Sequence, residues 1–69
     1  MFKYEVIIFW SEEDFSYIAE VPELPGCMAD GKTYAEALSN LETVIKEWVE
    51  AASDLGRPIP EPKGRLKYA

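Results

Sequence analysis

Hydrophobic and polar positions change their period along this chain. Over residues 2–10, FKYEVIIFW, the apolar positions Phe2, Tyr4, Val6, Ile8 and Trp10 alternate with Lys3 and Glu5, the two-residue period of a strand. Ile7 and Phe9 then break the alternation. The second half of this strand is apolar on both faces, which predicts burial on both sides. Residues 11–16, SEEDFS, are polar and acidic and read as a turn. Residues 15–21, FSYIAEV, are rich in aromatic and β-branched side chains and predict a second strand. So short a connection predicts an antiparallel hairpin.

From Thr33 onward the period lengthens. Tyr34, Leu38, Leu41, Ile45, Trp48, Ala52 and Leu55 recur in steps of four and three, a single stripe on a helix, widened by Ala35, Ala37, Val44 and Val49. Thr33 is a suitable N-cap, and Glu36 three residues later completes a capping box. Gly56 suits the residue after the helix, and Pro58 blocks continuation. The helix is predicted over 34–55, about 33 Å long at 1.5 Å per residue.

Between strand and helix lies residues 21–33, VPELPGCMADGKT, with two prolines, two glycines and the single cysteine. Pro22 cannot donate a ladder hydrogen bond and ends the second strand. Pro25-Gly26 is a turn signal, because proline presets the first central torsion and glycine accepts a positive φ at the next. Residues 27–30 predict a short third strand stopped by Gly31. After the helix, residues 57–62, RPIPEP, form an extended arm, and residues 64–69, GRLKYA, have the pattern of a short basic edge strand. The order β-β-β-α-β specifies an α+β domain over residues 1–69: an antiparallel sheet with one long helix on one face. A single helix covers a single face. The apolar residues on the other face need a cover, which predicts self-association, as a dimer or higher, or a protein partner.

Composition narrows this picture. A chain of 69 residues has room for one core and buries only about 60% of the surface its unfolded state exposes. Disulfides, metals or oligomerisation usually support so small a domain. A lone Cys27 rules out an internal disulfide, and the lack of histidine argues against zinc. No leader-like start and no apolar run of about 20 residues is present, so a cytoplasmic protein away from the membrane is expected. The net charge of −6 argues against direct nucleic-acid binding, which draws on a basic footprint. A basic protein partner suits it better.

Candidate chemistry is thin. Metal-assisted hydrolysis needs several carboxylates at one point. Glu5 and Glu20 could neighbour each other on adjacent strands, with Glu23 or Asp30 nearby, yet all four also suit solvent-facing strand and turn positions. Cys27 has no histidine to activate it and reads as a small buried thiol. The glycines at 26–31 match no phosphate loop. Trp48 falls on the helix stripe and reads as core. The expectation is a protein that is not an enzyme, with no catalytic residue, cofactor or metal site.

The ordered set Val21-Pro22-Glu23-Leu24-Pro25-Gly26-Cys27, Gly31-Lys32-Thr33, Glu36-Ala37 and Gly56 to Pro62 resembles the HicB antitoxin family. The match covers about two thirds of the chain. The resemblance implies a partial RNase H-like fold without the catalytic carboxylates. It implies an antitoxin that neutralises HicA, a small basic mRNA-cleaving toxin, by occluding its surface. Many family members also carry a C-terminal DNA-binding domain; this sequence departs from them as a short form without it, which leaves autorepression open. The alternatives are a homo-oligomeric module with a different protein partner and, less favoured, a degenerate nuclease. The motif residues Val21, Pro22, Leu24, Pro25, Gly26, Cys27, Gly31, Thr33, Glu36 and Ala37 read as mainly fold-forming. The expected partner contacts are Glu12, Glu13 and Asp14, the densest acidic run, with Glu23 and Leu24 beside them if the two turns share a side.

Overall fold

Three strands and one helix make the fold in the computed structural model, which describes residues 3–62. Strand β1, Ile7–Ser11, pairs antiparallel with β2, Ser16–Glu20, and β2 pairs antiparallel with β3, Met28–Gly31. The sheet order is β1-β2-β3, with β2 in the centre. Helix α1, Tyr34–Asp54, follows. The domain is therefore α+β, and its three strands and helix occur in the order read from the sequence. The expected strand at 64–69 lies outside the described residues.

The first strand is shorter than its alternation suggested. Ile7 lies opposite Glu20, so continuing the register would set Glu5 against Pro22, which has no N–H to give. Pairing with β2 therefore begins at Ile7, and residues 3–6 lie before it. Their alternation still has a use, since Tyr4 is buried and Val6 packs on the core. Gly31 likewise differs from its expected role. It is the last residue of β3, not the residue that stops it. A Cβ at Gly31 would come within 2.4 Å of the backbone nitrogen of Ala37. The missing side chain lets the first turn of α1 lie directly on the strand.

The helix buries the middle of the expected stripe. The buried residues of α1 are Ala37, Leu41, Ile45 and Ala52. Leu38, Val44, Trp48 and Val49 flank them, while Tyr34 and Leu55 at the ends of the stripe stay exposed. The helix lies on β3 and β2 and touches β1 only marginally. The core it closes joins Ala37, Leu41 and Ile45 to Tyr4, Ala19, Val21, Leu24 and Cys27.

Both helix ends are satisfied locally. Thr33 Oγ1 accepts the Glu36 N–H at 3.0 Å, and Glu36 Oε1 accepts the Lys32 N–H at 2.9 Å. The carboxylate thus reaches one residue further back than in the usual capping box. At the other end Gly56, at φ 69°, donates to Ser53 O, and Arg57 N–H donates to Ala52 O at 2.8 Å. These two bonds form a Schellman motif around Leu55 as C-cap. The chain then returns across the domain, where the Tyr4 hydroxyl donates to Pro60 O.

Candidate functional site

The face of the sheet away from the helix is the candidate site. Ala19 is buried under α1, and its cross-strand neighbours Ile8 and Ala29 pack on the same core. Side chains alternate along a strand. Ile7, Phe9, Ile18, Glu20, Met28 and Asp30 therefore point the other way. Ile7 is 41% exposed, Phe9 44% and Met28 50%. Phe9 lies opposite Ile18, which lies opposite Asp30; Ile7 lies opposite Glu20, which lies opposite Met28. The sequence expectation that Ile7 and Phe9 are buried on both sides does not hold among the described residues. No described residue forms the outer layer that such burial needs, and the face is open among the described residues.

This face mixes two chemistries. Its centre is apolar, and Glu20 and Asp30 add carboxylates on adjacent strands. A depression lined by Asp14, Ile18, Met28, Ala29 and Asp30 joins the hairpin loop to the face. Such a surface suits a partner offering apolar side chains with cations around them.

The acidic run occupies the hairpin loop, residues 12–15, with Glu12, Glu13 and Asp14 exposed. Ser11 Oγ donates to Asp14 Oδ2 at 3.1 Å and accepts the Asp14 N–H at 3.3 Å. Trp10 Nε1–H donates to Glu12 Oε2 at 3.2 Å. Phe15 closes the loop at φ 48°, exposed to solvent. Ser16 Oγ beside it is buried with no hydrogen-bond partner among the described residues.

Glu23 and Leu24 are not part of this cluster. They sit in the 21–27 connection, at the opposite end of β2 from the hairpin loop. Leu24 is 0% exposed, so the expectation that it contacts a partner is corrected. The reason is a pair of consecutive turns. Leu24 N–H donates to Val21 O at 3.1 Å, Cys27 N–H donates to Leu24 O at 3.0 Å, and Val21 N–H donates to Cys27 O at 3.0 Å. Pro22 and Pro25 hold the first central positions, and Gly26 takes φ 78° at the second. Leu24, at the corner shared by the two turns, is driven into the core. Glu23 is half-buried nearby, and its carboxylate adds to the burial that raises the Tyr4 phenol above its ordinary 10.0. Cys27 is a free, buried thiol, and burial raises its pKa above 9.0. Among the described residues no three acidic or cysteine side chains gather in a way that could hold a metal ion. Nor is any described helix long and apolar enough to cross a membrane.

Sequence reasoning did not foresee two tertiary bonds and one aromatic row. Asn40 Nδ2 donates to Asp30 O at 2.8 Å, tying α1 to the edge of β3. Trp48 Nε1–H donates to Pro25 O at 3.0 Å, fastening the double turn to the helix. Tyr17 contacts Trp10 on one side and Tyr34 on the other. The alternation that puts Trp10 on the inner face of the first strand carried part of that signal; the placement of Tyr34 over Tyr17 did not show.

Residues 3–60 match the family model described as UPF0150-like. The chain belongs to that family. The matched span runs from the residue before Tyr4 to Pro60 and so includes the three described strands, the double turn, the helix and most of the returning arm. Among UPF0150 relatives, protein Ta0767 of Thermoplasma acidophilum is 43% identical over 58 residues, 84% of this chain and 83% of its own length. Protein ssl0259 of Synechocystis is 35% identical over 57 residues, 83% of this chain and 77% of its own length. Protein ssl0738 of the same organism is 40% identical over 55 residues, 78% of this chain and 76% of its own. No solved structure matches.

Proposed function

We propose that this UPF0150-like protein is an antitoxin-type binding protein that covers the surface of a small, basic, RNA-cleaving toxin of the HicA kind and so blocks it. The observation that carries this reading is the open outer face of the sheet, with Ile7, Phe9, Ile18 and Met28 at its centre and Glu20, Asp30 and Asp14 around them. An apolar centre supplies affinity through burial. Carboxylates at its margin steer a cationic partner and select against an acidic one. The net charge of −6 acts in the same direction over longer range. The HicB-like motif from Val21 to Ala37 supports the partner class and the reading of the fold as a partial RNase H-like one. On this reading the protein acts in the cytoplasm by binding, not by catalysis, and without cofactor or direct contact to nucleic acid.

A second reading is favoured by the same apolar face. Two copies could cover it for each other and form a homo-oligomeric module serving another protein. The experiment separates the two. The chain is co-expressed with the product of the adjacent reading frame, tested as a small basic partner, and growth, pull-down and RNA cleavage by the purified partner are measured. Relief of growth arrest, and loss of both complex and relief in a Phe9→Lys/Met28→Lys double variant, are expected. An unchanged rate of RNA cleavage at saturating chain overturns the antitoxin reading. Self-association that the same double variant abolishes would then favour the module.

A further inference from the structure

The helix-side face of the sheet ends in a row of aromatic rings that the core does not fully use. Trp10 lies opposite Tyr17, and Tyr17 lies opposite Gly31. Because the first turn of α1 rests on Gly31, Tyr34 at its start comes over Tyr17. The Tyr17 and Tyr34 ring centroids are 4.4 Å apart at 33°, and Trp10 meets Tyr17 in an edge arrangement at 5.1 Å and 70°. Tyr17 in the middle is half-buried, whereas Trp10 is 45% and Tyr34 59% exposed. A ring that served only as a lid for the core would hide its faces. These two keep about half of their surface in water.

Charge distinguishes this row from an ordinary apolar margin. The Trp10 indole N–H holds the Glu12 carboxylate at the ring's edge, 3.2 Å away, and Glu13 and Asp14 follow in the same exposed loop. Ring faces carry negative charge density, and a fixed carboxylate beside them adds to it. Positive features lie at the other end: Lys32 and the start of α1. There the Glu36 carboxylate already accepts the Lys32 N–H and offsets the helix dipole. A cation is therefore favoured at the Trp10–Tyr17 end. A guanidinium suits it better than an ammonium, because it stacks flat on a ring and can direct its fork to Glu12 at the same time.

We infer that the Trp10–Tyr17–Tyr34 row, with Glu12 at its edge, binds an arginine side chain displayed by a basic protein partner. The inference rests on the reading of this chain as the binder of a basic protein, and it names a contact separate from the outer sheet face.

The test uses the full chain and short capped peptides, tetra-arginine, tetra-lysine and tetraserine, measured by titration calorimetry. In a Trp48→Phe variant, Trp10 is the one remaining indole and its fluorescence reports the site directly. The expected result is saturable quenching of Trp10 by the arginine peptide, tighter binding of arginine than lysine, and no binding of tetraserine. Tyr34→Leu, which keeps an apolar side chain but removes the ring, should weaken arginine binding about five-fold, while Tyr34→Phe should keep it. Glu12→Gln should reduce the preference for arginine over lysine. Equal binding of the two cationic peptides, or unchanged arginine affinity in Tyr34→Leu, overturns the inference and reduces the row to the end of the core. No toxin is present in this assay. Its failure therefore leaves toxin neutralisation free to succeed, and a failed neutralisation leaves the peptide result standing.

Discussion

The two connections of the sheet, residues 12–15 and 21–27, solve the same problem in opposite ways. Each reverses the chain between antiparallel strands. In 21–27 every special residue stands where its torsions or its side chain are useful. Two prolines open two turns, Gly26 takes the positive φ, and Leu24 and Cys27 are buried beneath. In 12–15 the positive φ falls on Phe15, a bulky residue for which the left-handed region is costly, and its ring is left in water. Three acidic residues crowd beside it, and the neighbouring Ser16 hydroxyl is buried without a partner among the described residues. One connection is arranged for stability. The other keeps features that lower stability and place an aromatic ring and negative charge at the surface, as expected of a segment used for contact.

The contrast can be broken, starting with the double turn. Leu24→Ala should cost about 2–5 kcal/mol, from lost burial and the cavity left behind. In a domain of this size that is a large share of the total, and thermal denaturation would show a folded fraction already reduced near room temperature. A loss below about 1 kcal/mol would mean that Leu24 does not anchor the core. Gly26→Ala should cost about 1–2 kcal/mol, because alanine resists φ 78° even though nothing lies within 4 Å of its Cβ. The penalty is conformational alone, so denaturant titration should give a lower midpoint with the same slope.

The hairpin loop should answer in the opposite sense. Phe15→Gly should stabilise the protein by about 0.5–1 kcal/mol, since relief of the left-handed torsion exceeds glycine's entropic cost. If the ring contacts the partner, the same variant binds more weakly while melting higher. A variant less stable than the parent would show that Phe15 supports the fold. The smallest stability effect is expected from replacing Glu12, Glu13 and Asp14 together with Ser, within about 0.5 kcal/mol. That variant should instead slow association with a basic partner, most at low salt. An unchanged association rate at low ionic strength would remove the acidic run from the contact and leave the outer sheet face as the electrostatic site.

Local features of this fold were legible because they rest on local chemistry. Thr33 and Glu36 cap the helix, Gly56 and Pro58 end it, and Pro25-Gly26 makes a turn, each through atoms a few residues apart. The open apolar face was also legible, since one helix cannot cover two sides of a sheet. The rest depended on tertiary distances. That Gly31 admits the helix, and does not merely end a strand, follows from its separation from Ala37. This in turn buries Ala37. Glu23 and Leu24 were grouped with the acidic run on the condition that the two turns share a side. The strand between them sets the two turns at opposite ends of the sheet.

The bond from the Tyr4 hydroxyl to Pro60 O joins residues 56 apart. Closing so long a loop costs about (3/2)RT ln 56, roughly 3.6 kcal/mol beyond a constant term. Little of that is recovered until the sheet and helix have already shortened the path. During synthesis Tyr4 emerges early, yet its acceptor is nearly the last residue of the described domain to be made. The N-terminal segment therefore has to wait for almost the whole domain before it can settle. In the folded protein the order runs in reverse. Joining residues near the two ends of the described domain, this clasp is expected to be among the first long-range contacts to yield under a pulling force and among the last to re-form after unfolding.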